Sequence, residues 1–244
     1  MEYFMPQASS FAANIDNVIL LVAVLGGFWL LVAELIFFYF IFKYRRSKNP
    51  KASYVTGEEP QYQKWIHWPH NLIVVCDIVI IVFAVRTWYV VKQDLPAPDD
   101  TIGIVAQQWG WQFIHSGPDK LLGTADDVIV IDELHVKENA TYHFKLQSKD
   151  VLHSFSVPVF RLKQDAVPGR EITGWFKPIK QGTFDIQCAE MCGIGHGIMN
   201  AYLHVHSAAD YDTWLQGQVV AANHEPKSAD IAPTALTETK TVAH

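Results

Sequence analysis

Residues 183–199 read TFDIQCAEMCGIGHGIM, and this stretch indicates both a fold and a chemistry. Its first part alternates polar and apolar side chains, with Phe184, Ile186 and Cys188 at the apolar positions. A period of two is typical of a β-strand with one buried face. Its second part, from Cys188 to Met199, has the spacing Cys-x3-Cys-x3-His-x2-Met. The stretch therefore predicts a strand that runs directly into a loop of metal ligands.

The loop offers two thiolates, one imidazole and one thioether, from Cys188, Cys192, His196 and Met199. Thiolate and thioether are soft ligands, and together with imidazole they favour copper over hard cations. One copper needs only one thiolate, so two thiolates and a second histidine could bridge two coppers. The best candidate for that histidine is His153, in DVLHSF at a predicted strand end. A disulfide between the cysteines and a structural zinc site, which usually takes four Cys or His ligands, are the alternatives.

The same alternation recurs through much of residues 101–206. Two further segments show it clearly, with Ala140, Tyr142, Phe144 and Leu146 in one and Ala201, Leu203 and Val205 in the other. Several short strands at this spacing predict an all-β sandwich or barrel. We place this β domain at 92–218, after the Pro-rich break LPAPDD.

A short helix is expected after the last strand, with Ser207 as its N-cap. Its buried side would carry Tyr211, Trp214 and Leu215. The final segment, 219–244, is rich in Ala, Thr and charge, which predicts a flexible tail.

Two long apolar runs precede the β domain. Val18 to Phe42 is 25 residues with one charge, Glu34, and would span roughly 37 Å as a helix. Asn71 to Val91 is 21 residues and would span roughly 31 Å. Both are long enough to cross a bilayer, and neither resembles a cleaved signal peptide. We predict membrane helices at 18–42 and 67–91.

The charges indicate how these helices are oriented. The segment between them, 43–66, contains six basic residues, whereas 1–17 contains no Lys or Arg. By the positive-inside rule, 43–66 is a cytoplasmic loop, and both 1–17 and the β domain lie on the outer side. The expected location is a bacterial-type inner or cell membrane, crossed twice and surrounded by lipid. A charge within a span is costly, so Glu34 is expected to face a partner helix.

Composition excludes other classes of protein. The formal net charge of -6 makes nucleic acid an unsuitable partner. Three cysteines are too few for a disulfide scaffold. Asp119, Asp126 and Asp127 flank a Gly-containing turn and could hold calcium, with a solvated acidic hairpin as the alternative.

Four motifs carry a resemblance to a known family. They are QWGWQF at 107–112, KDVLHSFSVP at 149–158, KQDAVPGR at 163–170 and CAEMCGIGHGIM at 188–199. With them the chain resembles subunit II of haem-copper cytochrome c oxidases, the subunit that carries the binuclear copper A centre. The resemblance covers roughly residues 18–216. It implies two N-terminal transmembrane helices followed by an all-β, cupredoxin-like domain, a Greek-key sandwich or barrel.

The resemblance also implies a copper ligand set. Cys188 and Cys192 would bridge the two coppers. His153 and His196 would each bind one of them. Met199 would be a weak ligand to one copper.

Two further roles follow from the same resemblance. The backbone carbonyl of Glu190 would bind the other copper, and its side chain would bind a magnesium ion shared with subunit I. Trp109 resembles the aromatic through which electrons arrive from cytochrome c. Two positions depart from the pattern, since many relatives have an aromatic at Gly110 and often a Glu at Tyr62.

The implied function is that of the electron-accepting subunit of a cytochrome-c oxidase. Electrons would pass from a c-type cytochrome to copper A and then to the haem of subunit I, where oxygen is reduced to water and protons are pumped. Its partners would be subunit I, other oxidase subunits and the cytochrome. The alternative is a copper-binding carrier or assembly module without respiratory electron transfer, which would not need the paired helices. Related quinol oxidases lack the copper ligands, and the copper A domain of nitrous oxide reductase lacks the paired anchor.

Overall fold

The computed structural model describes residues 5–51 and 54–224. Two long helices come first, α1 at Ala12–Lys43 and α2 at Pro60–Trp88, and α2 continues as a π-helical turn at Tyr89–Gln93. Both are long and apolar enough to cross a membrane. In each helix, the most apolar stretch is not buried inside the protein. The predicted pair of apolar helices is confirmed.

A β-sandwich follows the helices. Its strands are β1 (Asp100–Gln107), β2 (Gly110–His115), β3 (Val128–Ile131), β4 (Glu133–Lys137), β5 (Tyr142–Ser148), β6 (His153–Val157), β7 (Leu162–Ala166), β8 (Ile172–Phe176), β9 (Gly182–Cys188) and β10 (Asn200–His206). One sheet has the order β3-β2-β1-β5-β8 and the other β4-β10-β9-β6-β7. Both sheets are mixed, because β1 runs parallel to β5 and β10 runs parallel to β4. The predicted cupredoxin-like sandwich is confirmed.

The core lies between the two sheets and follows the alternation in the sequence. In β5, Tyr142, Phe144 and Leu146 are buried, as the period of two predicts. Phe155 of β6 is fully buried and packs edge-on against Trp111 of β2, with ring centroids 5.6 Å apart. Truncating a buried aromatic side chain typically costs about 3–5 kcal/mol, so this contact between the sheets is a large part of the stability of the domain.

The segment before α1 packs against the sandwich. Ala8 donates its backbone N–H to Val159 O at 3.0 Å, and the Ser9 hydroxyl donates to Phe160 O at 2.8 Å. Phe11 is buried against Trp175, with ring centroids 5.2 Å apart. These contacts fix the first helix to the β domain at its N-terminal end.

A buried ion pair strengthens the same junction. Arg161, in a left-handed conformation with φ 57°, donates through Nε and Nη2 to the two carboxylate oxygens of Asp16 in α1, at 2.7 and 2.8 Å. A bidentate pair of this kind constrains orientation as well as distance. The C-terminal end of α2 is held separately, since Trp175 Nε1 donates to Val91 O at 3.1 Å. Both helices therefore meet the sandwich at the same end of the helical pair.

The final described helix, α3 at Ala208–His224, begins as predicted. The Ser207 hydroxyl accepts the backbone N–H of Asp210 at 3.2 Å, which is an N-cap contact. Tyr211 is buried, and Trp214 and Leu215 are half-buried. The helix extends past the predicted boundary at 218, and the rest of the predicted tail, 225–244, lies outside the described residues.

The acidic turn between β2 and β3 is organised by its own hydrogen bonds. The Thr124 hydroxyl donates to Asp126 at 2.7 Å, and the Gly123 N–H donates to Asp127 at 2.7 Å. The hydrogen bond from Thr124 lowers the pKa of Asp126. Calcium binding at this turn stays a prediction.

Candidate metal centre

The candidate ligands meet where β9 ends and β10 begins. Cys188 is the last residue of β9, and Met199 directly precedes β10. The Cys188 N–H donates to Met199 O at 3.3 Å, which closes the base of the loop. Inside the loop, a single 3-10 turn at His196–Ile198 returns the chain toward Cys192. A short loop closed in this way brings four soft or borderline ligands to one place.

The distances between these ligands are short. Cys188 Sγ lies 3.7 Å from Cys192 Sγ, which in turn lies 3.6 Å from His196 Nδ1 and 3.8 Å from Met199 Sδ. The two sulfur atoms are too far apart for a disulfide, whose S–S bond is about 2.05 Å, and both cysteines are free. Cys192 and Met199 are almost fully buried, and His196 is half-buried.

His153 completes the group from another strand. It is the first residue of β6, is fully buried, and places Nδ1 4.0 Å from Cys188 Sγ. Its other ring nitrogen, Nε2, lies 2.8 Å from Asp150 Oδ1. Metal-binding imidazoles usually have their second nitrogen held by such a partner, which fixes the tautomer. His153, Cys188 and Cys192 thus form a possible metal site with Nδ1 as the free ligand.

The electrostatics of the thiols favour a cation. The pKa of the Cys192 thiol is raised to about 11. Burial is the largest cause, and the neighbouring Cys188 is the second. The Cys192 thiol therefore resists losing its proton unless a nearby positive charge compensates it. A bound soft cation would supply that charge, because thiolate is the form that binds metal.

The two remaining sequence-predicted residues lie at the edge of this group. The Glu190 carbonyl oxygen is 3.3 Å from Cys188 Sγ, which places an oxygen atom directly beside the sulfur. The Glu190 side chain is half-buried and lies 3.9 Å from Lys163 Nζ. Trp109 donates Nε1–H to Cys192 O at 3.3 Å while 39% of its surface stays exposed.

Glycine makes the close approach of Trp109 possible. A Cβ added at Gly195 would lie 2.4 Å from Cδ2 of the Trp109 ring, a separation that no side chain tolerates. The indole therefore lies flat against the ligand loop only because residue 195 is glycine. The structure connects an exposed aromatic surface to the Cys192 backbone through one hydrogen bond.

Sequence reasoning missed two residues that shape the site. Asp150 orients His153, and its position three residues ahead of that histidine in KDVLHSF was the available clue. Gln108 donates its side-chain amide to Cys192 O at 2.8 Å, beside the Trp109 contact. No spacing rule links Gln108 to a loop 84 residues later.

Two apolar helices followed by a β-sandwich with a Cys, His and Met ligand loop define a membrane-anchored, cupredoxin-like metalloprotein. The family described as "Cytochrome C oxidase subunit II, periplasmic domain" matches residues 112–205. An alternative cytochrome c oxidase subunit 2 of Bradyrhizobium diazoefficiens is 31% identical, over 88% of this chain and 84% of that protein. The chain belongs to the cytochrome c oxidase subunit II family.

Other relatives and one solved structure are similar as well. A probable cytochrome c oxidase subunit 2 of Rickettsia bellii is 34% identical, and the match spans 64% of this chain and 66% of that protein. The crystal structure of the periplasmic domain of subunit II of cytochrome oxidase of Bradyrhizobium japonicum has 26% sequence identity and a TM-score of 0.47. It covers 52% of this chain and 99% of the solved one.

Proposed function

We propose that this chain is the electron-accepting subunit of a haem-copper terminal oxidase. It would take electrons from a c-type cytochrome at a two-copper centre and pass them to the haem of subunit I, where oxygen is reduced to water and protons are pumped. The observation that carries the proposal is the convergence of two cysteines, two histidines and one methionine. Family membership supports copper as the metal.

The ligand atoms fit a pair of coppers better than a single ion. Cys188 and Cys192 have one histidine nitrogen each within 4.0 Å, from His153 and His196. The group therefore divides into two halves, each with one sulfur and one imidazole, and the two sulfur atoms lie 3.7 Å apart between them. Met199 Sδ adds a thioether beside Cys192, and the Glu190 carbonyl adds an oxygen beside Cys188. Copper bound by thiolate and imidazole supplies one-electron transfer.

Burial of the ligands suits a relay. His153, Cys192 and Met199 are at most 3% exposed, so they exclude water from the metals. Asp150 holds the ring of His153, and the Cys188–Met199 backbone hydrogen bond holds the loop. A site whose ligands are fixed by packing changes little between oxidation states, which favours rapid electron transfer.

Trp109 is our candidate for the point where electrons arrive. It is exposed on one side and bonded to Cys192 O on the other. Nearby loop residues Met191, Ile194 and Ile198 are 72%, 96% and 77% exposed and would form an apolar docking rim. From Lys92 onward the chain has 19 acidic and 12 basic residues, a balance of -7 that would attract a basic cytochrome.

We further propose that subunit I and other oxidase subunits cover the helices and one side of the ligand loop. Glu34 lies on α1, whose apolar side chains are exposed along its length, so partner helices would shield its charge. The Glu190 carboxylate, which within the described part of the chain has only the long contact with Lys163, would bind a shared magnesium ion.

The orientation we propose places the sandwich in the periplasm. The N-terminal end of α1 and the C-terminal end of α2 both contact the sandwich. The basic segment 43–66 belongs to the opposite end of the helical pair, which the positive-inside rule assigns to the cytoplasm.

Metal analysis and electron paramagnetic resonance of the copper-loaded full chain test the proposal. We expect two coppers per chain and a spectrum in which one unpaired electron is shared by both. Cys192→Ser should abolish the shared-electron spectrum, whereas Cys76→Ser, in α2, should leave it unchanged. One copper per chain, or a spectrum of a single isolated copper, would contradict a two-copper centre.

The role of Trp109 needs a separate measurement. Trp109→Phe should keep the copper spectrum and slow reduction by a c-type cytochrome. A full copper complement with no reduction by any cytochrome would instead favour a copper carrier.

A further inference from the structure

A second cluster of metal-binding side chains lies away from the cysteine loop, on the outer face of the sheet that contains β4 and β10. His135 of β4 is the direct parallel partner of His204 of β10. His206 follows two residues later and so points to the same face. The rings of His135 and His204 stack with centroids 4.6 Å apart. Three imidazoles therefore lie together on two adjacent strands.

We propose that Glu133, His135 and His204 form a second metal site, for a divalent ion of the zinc type. A ring nitrogen from each histidine and a carboxylate oxygen of Glu133 all lie within 4.8 Å of one another. Glu133 Oε2 and His135 Nε2 are 3.5 Å apart. Zinc bonds of about 2.0–2.1 Å in a tetrahedron set neighbouring ligands about 3.3–3.4 Å apart, so this pair is already near the required separation. The inference goes beyond the proposed oxidase function and shares none of its ligands.

Within the described residues, only one of the two ring nitrogens of His204 is close to a hydrogen-bond partner. Its Nδ1 lies 3.1 Å from the Thr183 hydroxyl, whereas its buried Nε2 has no hydrogen-bond partner among the residues described. Buried polar atoms are nearly always paired, and an unpaired one often marks a missing ligand. Nε2 is therefore the nitrogen available to an ion.

His206 holds His135 in the orientation that a ligand needs. His206 Nε2 lies 2.9 Å from His135 Nδ1, and the two ring planes differ by only 6°. When Nδ1 of His135 carries the proton and donates it, the lone pair on Nε2 faces the Glu133 carboxylate. Two electron-rich atoms then face each other, and a cation between them removes the repulsion. Imidazole ligands commonly have their second nitrogen held in this way.

The surroundings hold His135 in place. The indole of Trp214, from α3, stacks on His135 with centroids 4.1 Å apart. His135 is therefore rigid, while the half-buried His204 and the exposed Glu133 can turn their side chains toward a shared ion.

Zinc titration of the copper-loaded full chain in detergent tests the site. We expect one equivalent of Zn²⁺ to bind by calorimetry, with at least tenfold weaker binding in His204→Gln and in Glu133→Gln. His143→Gln is the matched control, because His143 lies on the other sheet and bonds to Pro96 O. An unaltered copper spectrum in each variant shows that the chain is folded.

Cobalt distinguishes this site from the cysteine loop. Co²⁺ bound by nitrogen and oxygen gives weak visible d–d bands, whereas Co²⁺ bound by thiolate adds an intense near-ultraviolet charge-transfer band. We expect only the weak bands, and we expect them to disappear in His204→Gln. No zinc uptake by the parent, equal uptake by His204→Gln, or a thiolate band would overturn the proposal and leave the cluster as a hydrogen-bonded packing group only.

Discussion

The two helices and the β-sandwich use the same apolar residue types in opposite ways. Leu30 and Phe37 of α1 are 63% and 57% exposed, whereas Phe113 and Phe155 of the sandwich are fully buried. The sandwich therefore gains its stability in water by burying apolar surface inside itself. The helices leave theirs for lipid and for neighbouring helices. One chain thus contains two regions whose stabilities depend on different solvents.

The largest expected effect comes from the core of the sandwich. Phe155→Ala removes a ring that packs against Trp111, Phe113 and Phe144, and it should lower the free energy of unfolding by about 3–5 kcal/mol. Phe37→Ala in α1 should change the same quantity by less than about 0.5 kcal/mol. Urea unfolding of the sandwich, followed by tryptophan fluorescence in detergent, measures both. Equal losses would show that the two regions do not differ as we describe.

A smaller effect is expected at the junction of the two regions. Arg161→Gln leaves the buried Asp16 carboxylate without its bidentate partner and should cost about 3 kcal/mol. The loss should release the N-terminal end of α1 from the sandwich, which limited proteolysis near residue 10 would detect. Arg170→Gln is the control, because Arg170 is exposed. Unchanged proteolysis in Arg161→Gln would mean that the apolar contacts of Phe11 suffice to hold the junction.

The smallest effect is expected on the surface of the sandwich. Lys145 Nζ lies 3.1 Å from Glu171 Oε1, and both side chains are about half-exposed. The hydrogen bond from Lys145 lowers the pKa of Glu171, and Gln147 adds a second hydrogen bond. A carboxylate with a lowered folded-state pKa stabilises the fold above its ordinary value of 4.5 and loses that effect as the pH falls through the folded pKa.

The corresponding measurement compares Lys145→Ala with the parent. The variant should lose about 0.2–1 kcal/mol at pH 7, and the difference should shrink below pH 4.5 and in high salt. Urea midpoints across that pH range provide the test. A difference that stays constant with pH would point to lost packing of the lysine stem instead.

The sequence predicted those parts of the fold that local pattern determines. The alternation in β5, β9 and β10 marked their buried faces, and the apolar runs marked α1 and α2. The ligand loop was readable because Cys188, Cys192, His196 and Met199 lie within twelve residues. His153 was found only through the strand-end motif around it.

Contacts between distant segments were not readable. The sequence predicted 1–17 only as an outer segment, yet Ser9 bonds to Phe160, 151 residues away. The histidine cluster was missed for the same reason, because His135 and His206 are 71 residues apart and meet only when β4 pairs with β10. Local periodicity carries no information about which strands become neighbours.

The docking of the N-terminal segment on the sandwich also has a consequence for how the chain is made. Ser9 is synthesised 151 residues before Phe160, whose carbonyl oxygen accepts its hydroxyl hydrogen bond. At about 5–20 residues per second, this delay is roughly 8–30 s. During that interval Ala8, Ser9 and Phe11 have no sandwich to bind. The junction is therefore among the last contacts of the molecule to form.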